Sequence, residues 1–130
     1  LHSTQDPALV RSIACHPSVW PGFGGKSDPE TWTVPIRDGV DWLIGDGVIV
    51  CFMQMRPKTF EAHIGALPEA RGTVKAQALE AIQWLRENRG PGCLLGFIPR
   101  GNVAAIANAR AVGMKVLLRM TDRTMCGMEL

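Results

Sequence analysis

Glu61 and His63 lie two residues apart in a stretch, Thr59 to Leu67, whose apolar positions alternate. Phe60, Ala62, Ile64 and Ala66 would share one face of a strand, and Glu61, His63 and Gly65 the other. Such a pair is suited to moving a proton. An unperturbed imidazole titrates at ~6.5, and a neighbouring carboxylate orients its ring. The same two side chains also fit a buried, hydrogen-bonded histidine or a solvated strand face. The next residues add a second feature. Pro68-Glu-Ala-Arg-Gly72 has the form of a sharp turn, and helical periodicity begins directly after it. A helix that opens off a strand leaves its first N–H groups unpaired and aimed at one spot. The helix dipole adds positive potential there, so the turn is a ready anion site. Arg71 would meet that anion or form a surface ion pair with Glu69 or another carboxylate. Asn102, after Pro99-Arg-Gly101, is first a helix cap and second a polar contact for a ligand.

Other chemistries have little support. Cys15, Cys51, Cys93 and Cys126 form no Cys-x-x-Cys pair, and the adjacent Cys15-His16 does not converge on one metal. No metal site is expected. Cys51 and Cys93 read as small buried hydrophobes, and the cysteine usage suits a reducing, cytoplasmic compartment. The net charge of +2 comes without a basic block or stripe, which argues against nucleic acid. No apolar run approaches the ~18–20 residues of a membrane span. The opening residues, Leu1-His-Ser-Thr-Gln-Asp6, contain no signal-peptide apolar segment. They also lack an initiator Met, as expected if the numbering starts inside a longer chain. At 130 residues, one domain spanning residues 1–130 is expected.

The elements that must position these residues follow from local pattern. Asp6 caps a first helix with Pro7 at its first position, and Leu9, Ile13 and Val10 lie on its apolar face. Pro21-Gly-Phe-Gly-Gly25 reads as a breaker-rich loop, either a plain connector or a lid on the substrate side. Ser27-Asp-Pro-Glu30 has the form of a capping box for a short helical turn. Asp41–Ile44 and Val48–Met55 form a hairpin around Gly45-Asp-Gly47, and Thr59–Leu67 adds a third strand. A helix from about Gly72 to Asn88 carries a core stripe of Val74, Ala78, Ala81, Ile82 and Leu85, and Gly90-Pro-Gly92 stops it. Cys93–Ile98 is a short apolar run without alternation, as in a strand covered on both faces. A helix from Asn102 to about Val112, a strand from Met114 to Met120 and a further strand from Thr124 to Leu130 complete the chain. Strand, helix and strand in succession imply a right-handed parallel crossover joined to the meander. Trp32 and Trp42 read either as pocket walls or as core. The methionines read as core filling or as a dimer face.

Glu61–Ala76 and Gly96–Met114 resemble the two core motifs of the GNAT superfamily of acyl-CoA-dependent N-acyltransferases. Pro68-Glu-Ala-Arg-Gly72 is similar to the family's strand–Pro-x-x-Arg-Gly–helix turn. Arg71 and Ala76 fill the outer positions of its [Gln/Arg]-x-x-Gly-x-[Gly/Ala] pattern. Ile98-Pro-Arg-Gly-Asn102, Ala105 and Gly113-Met114 echo the second motif. Glu61-Ala-His63 with Leu67-Pro-Glu-Ala-Arg-Gly72 further resembles small GNAT-like proteins of bacteriophages and prophages. The resemblance implies an α/β fold with a mixed, mostly antiparallel sheet, a central splayed parallel strand pair and flanking helices. It also implies acetyl-CoA as co-substrate, its pyrophosphate cradled by the amides of Gly72, Thr73, Val74, Lys75 and Ala76. Arg71 and Asn102 would be secondary contacts. Backbone groups near Ala66 and Leu67 would pair with the pantetheine arm, and an N–H there would polarise the thioester.

The activity so implied is acetyl transfer to a small-molecule or protein amine, with His63 as the base and Glu61 beside it. The departures from the pattern imply an alternative. The family's Tyr, seven residues after the Asn, is Ala109 here, and the chain has no Tyr. Val74 stands where the family has Gly. A catalytically inactive GNAT-like module that binds CoA or a protein partner is the second expectation. A small α/β protein with no nucleotide site is the third. The acceptor side would be built by the first forty residues, to which the resemblance does not extend.

Overall fold

The computed structural model describes residues 1–24 and 26–130. Seven strands form one sheet in the order β1-β2-β3-β4-β5-β7-β6. They are β1 (His2–Thr4), β2 (Val40–Ile44), β3 (Val48–Arg56), β4 (Thr59–Ala66), β5 (Cys93–Pro99), β6 (Lys115–Arg119) and β7 (Arg123–Glu129). The helices are α1 (Pro7–Ala14), α2 (Trp20–Phe23), α3 (Val74–Arg89) and α4 (Val103–Ala111). Among neighbouring strands of the described residues only β4 and β5 run parallel, joined by the α3 crossover. This is the expected mixed, mostly antiparallel sheet.

The expected hairpin closes on Gly45-Asp-Gly47, where Gly47 takes φ +71, a conformation that side chains disfavour. Helix α3 stops at Gly90 in a left-handed cap. It begins two residues later than expected, because Pro68–Thr73 first winds a 3-10 turn. The last strand inserts between β5 and β6, antiparallel to both.

The two faces of the sheet are covered by different parts of the chain. Leu43, Val50, Phe52 and Phe60 pack against Ala81, Ile82 and Leu85 of α3, and Ala109 of α4 joins this core. On the other face Trp42, Ile44, Ile49 and Cys51 pack against Val10, Ile13, Ala14 and Val34. Asp6 caps α1 by accepting from Ala8 N–H at 2.9 Å. The buried face of that helix is Val10, Ile13 and Ala14, whereas Leu9 is exposed, contrary to expectation.

Further differences from the sequence reading lie in the N-terminal segment. His2–Thr4 adds an edge strand that its polar residues do not announce. Trp20–Phe23 is helical rather than loop, and Gly25 of the expected loop lies outside the described residues. In the second capped turn the cap is Asp28, which accepts from Glu30 N–H at 2.9 Å. Ser27 bonds back to the Gly24 carbonyl instead. The methionines divide: Met114 and Met128 fill the core against α3 and α4, Met53 packs under the N-terminal segment, and Met55 is exposed. Among the described residues no helix is long and apolar enough to cross a membrane, and no group of His, Cys, Asp and Glu is placed to hold a metal ion.

Candidate functional site

The central fact is where the parallel pair separates. β4 and β5 are matched at Thr59–Cys93, Phe60–Leu94 and Glu61–Leu95 and no further, although β4 continues to Ala66 and β5 to Pro99. Past Glu61 the strands splay. The opening is a cavity of about 690 Å³ that reaches both faces of the sheet. Phe23 and His63 line it from the N-terminal side, and Ile82 and Ala105 from the helical side.

The direction of the backbone in β4 follows from its hydrogen bonds. Leu67 N–H donates to the Gly47 carbonyl at 2.8 Å, and the Lys58 carbonyl accepts from Cys93 N–H at 3.0 Å. Polar groups alternate sides along a strand, and the β3–β4 register is continuous from Val48–Ala66 to Gln54–Phe60. Even-numbered positions therefore turn toward β5 and odd-numbered ones toward β3. Ala62, Ile64 and Ala66 present their N–H and C=O groups to the gap that β5 has left. Such an edge is a template for an extended amide-bearing ligand. Of the expected pair, Ala66 faces the gap, whereas the Leu67 N–H closes the turn onto Gly47. The sequence reading missed Ala62 and Ile64, because strand parity relative to a gap depends on where the partner strand departs.

At the mouth of the gap lies the 3-10 turn and the start of α3. Thr73 makes no side-chain cap to the helix, and its hydroxyl bonds back to the Ala70 carbonyl at 2.7 Å. Val74 is buried, and its N–H donates to the Arg71 carbonyl, so this amide is already engaged. Lys75 and Ala76 are exposed at the first turn of the helix. Gly72 is open: a Cβ built on it meets nothing within 4 Å, and its φ is not positive. Neither backbone conformation nor packing inside the chain calls for glycine there. Arg71 lines the cavity and reaches the Ser18 carbonyl at 3.4 Å, a tie to the N-terminal segment in place of the expected Glu69 pair. Asn102 caps α4 by accepting from Ala105 N–H at 3.1 Å and also borders the cavity.

Glu61 and His63 meet as the strand spacing requires, with His63 Nε2 and Glu61 Oε1 2.9 Å apart. When the imidazole is neutral, Nε2 carries the proton donated to Glu61, which leaves Nδ1 as the basic atom. The Phe23 ring stands edge-on to the imidazole, centroids 6.1 Å apart. Phe23 belongs to an aromatic group in which Trp20–Trp32 and Trp32–Trp42 have centroids 5.2 and 6.0 Å apart. Trp20 and Trp42 are buried core, and Trp32 is partly exposed beside them. Arg11 ties the segment together by donating to the Trp32 and Pro29 carbonyls at 2.6 and 2.7 Å. Opposite His63 in the register, Cys51 has its thiol pushed up to about 12, first by burial and then by the charges of Asp41 and Glu61. It is a packed, unreactive group.

No protein-family model matches the chain, and no curated protein sequence does. Solved structures do match. The N-acetyltransferase PseH of Campylobacter jejuni, in complex with acetyl coenzyme A, superposes with a TM-score of 0.65 at 14% identity, over 72% of this chain and 70% of that one. Ribosomal-protein-alanine N-acetyltransferase of Brucella melitensis gives 0.61 at 22% identity, with the same coverage of 72% and 70%. Spermidine N-acetyltransferase of Vibrio cholerae, in complex with CoA and spermine, gives 0.58 at 11% identity, over 63% of this chain and 57% of that one. The chain has the GNAT fold: a mixed seven-stranded sheet with one splayed parallel pair and flanking helices.

Proposed function

We propose that the gap between β4 and β5 binds acetyl-CoA and that the chain transfers the acetyl group to an amine. The observation that carries this reading is the splay of β4 and β5 beside an α3 start without a side-chain cap. The pyrophosphate would rest against the open backbone at Gly72 and the first-turn amides of Lys75 and Ala76, with Thr73 beside them and Arg71 and Asn102 at the margin. The Val74 amide would contribute through the helix dipole rather than as a free donor. The pantetheine arm would lie along Ala62, Ile64 and Ala66 as an added strand, passing Leu67 at the turn. An N–H of Ile64 or Ala66 would then donate to the thioester oxygen as negative charge develops on it.

The amine attacks the thioester carbon from the N-terminal face, where Phe23 and His63 line the cavity. Nδ1 of His63 takes the proton that the nitrogen sheds, and Glu61 stabilises the imidazolium that results. The carbon–sulfur bond breaks and coenzyme A leaves as its thiolate. The acceptor is a small-molecule or protein amine; the comparisons with the Brucella and Vibrio enzymes support that class. Further parts of the same proposal are a cytoplasmic setting, a phage or prophage origin, a single domain over residues 1–130 and assembly as a homodimer.

A second reading, a GNAT-like module that binds CoA or a protein without catalysis, is favoured by one observation. Ala109 stands at the family's tyrosine position, and the chain has no tyrosine. Calorimetric titration with acetyl-CoA and CoA tests both. Micromolar binding is expected, and an acceptor screen then separates enzyme from module. Binding that is absent or millimolar would exclude the enzyme.

A further inference from the structure

Beyond β5, away from the gap, a second cavity of about 510 Å³ lies between the start of α4 and the β6–β7 turn. Arg100 and Arg119 both line it. Neither is within ion-pair distance of a carboxylate among the described residues. Arg100 spends one N–H on the Thr121 carbonyl at 3.3 Å, which leaves most of its fork free. Thr124 supplies an independent observation. It is 5% exposed and lines this cavity; no buried side-chain oxygen among the described residues lacks a partner, so its hydroxyl, which enters no hydrogen bond there, is open to the cavity. A hydroxyl so placed is free to donate to a ligand in the cavity.

We propose that this cavity binds the oxyanion of a small organic phosphate or carboxylate. The Arg100 and Arg119 guanidinium groups hold it, and the Thr124 hydroxyl donates to a further oxygen. Guanidinium forks match the spacing of carboxylate and phosphate oxygens. The volume exceeds what a bare anion fills and falls within the range of small-ligand pockets. Ile106 and Met120 offer an apolar wall to the organic body. The inference does not depend on acetyl transfer, since none of these residues belongs to the gap. Two sources share the chemistry: the phosphates of coenzyme A reaching across the β5–α4 turn, or a separate anionic metabolite.

The test is an NMR titration of the labelled protein with inorganic phosphate at constant ionic strength, with chloride as the control. Saturable shifts are expected at the amides of Gly101, Thr121 and Thr124. Arg119→Gln, at an exposed position, should weaken phosphate binding roughly 10- to 100-fold with the fold intact. Thr124→Val should weaken it less. Displacement of bound phosphate by coenzyme A would assign the anion to the coenzyme. Failure of displacement would assign it to a separate metabolite, and either result keeps the site. Shifts that match chloride, or saturation unchanged in Arg100→Gln and Arg119→Gln, would overturn the proposal.

Discussion

Gly72 allows the coenzyme site to be tested apart from catalysis. Its φ is not positive and a Cβ meets nothing within 4 Å, so Gly72→Ala should cost the unliganded protein nothing. Removing glycine's freedom from the unfolded chain should instead stabilise it by ~0.4–1 kcal/mol. With an unfolding entropy of ~2.1 cal/mol/K per residue over 130 residues, that is a rise of roughly 1.5–4 °C in Tm. Binding should respond in the opposite sense. A methyl group at this position occupies the space through which a phosphate oxygen would reach the backbone. Loss of one charge-assisted contact is worth ~1.5–3 kcal/mol, or roughly 10- to 100-fold in Kd. Gly72→Val should lower affinity at least as much. Thermal unfolding without ligand and calorimetry with acetyl-CoA give the two readouts. Wild-type affinity in both variants would refute the cradle, and a fall in Tm would refute the claim that the space is open.

Replacing His63 with Ala should lower kcat/KM for acetyl transfer by ~10²–10⁴ and leave acetyl-CoA affinity unchanged; Glu61→Gln should act in the same direction with a smaller loss. Unchanged turnover in His63→Ala would exclude it as the base. Cys51 should make the fold alkali-sensitive. Its thiol stays protonated in the folded chain up to about 12, against an ordinary value of 9.0. Between those values the unfolded chain holds fewer protons, so stability falls as pH rises through that window, by up to ~4 kcal/mol. Denaturant melts from pH 8 to 11 should show this slope in the wild type and a shallower one in Cys51→Ala. Leu85→Ala should destabilise by ~2–5 kcal/mol, because Leu85 is fully buried under the sheet. Leu79→Ala on the exposed side of the same helix should change stability by less than ~0.5 kcal/mol; urea melts compare the two.

What could be read from the sequence was local and periodic. The alternation in β4 placed Glu61 and His63 together, and their 2.9 Å contact follows from that two-residue spacing. The α3 stripe and the Gly90 stop were legible because burial and backbone conformation both leave a pattern in the residues. Long-range features were not legible. His2–Thr4 becomes a strand only because β2 offers an open edge. Leu9 and Val10 are neighbours of similar hydropathy, and only the direction of α1 against the sheet decides that Val10 is buried. The cleft-facing backbone of Ala62 and Ile64 depends on the residue at which β5 departs. The Arg100–Arg119–Thr124 cavity joins a turn and two strands, and nothing in the spacing of these residues reveals it.

The missing tyrosine bears on how the proposed reaction should depend on pH. A phenol acid would matter most for a poor leaving group, but a thiol is acidic enough to depart as its anion near neutrality. The base is the greater need, because the attacking amine must shed a proton as the new bond forms. With His63 Nε2 held by Glu61, Nδ1 alone serves this role, and it serves only when the imidazole is neutral. The acceptor amine must also be neutral to attack, so both requirements push the rate the same way. The kcat/KM profile should therefore rise with pH and level off, without the descending limb that a required acid imposes. The measurement belongs below pH 9, before Cys51 begins to weaken the fold. A bell-shaped profile centred below that value would mean that a proton donor acts in the site, and the base-only mechanism would have to be abandoned.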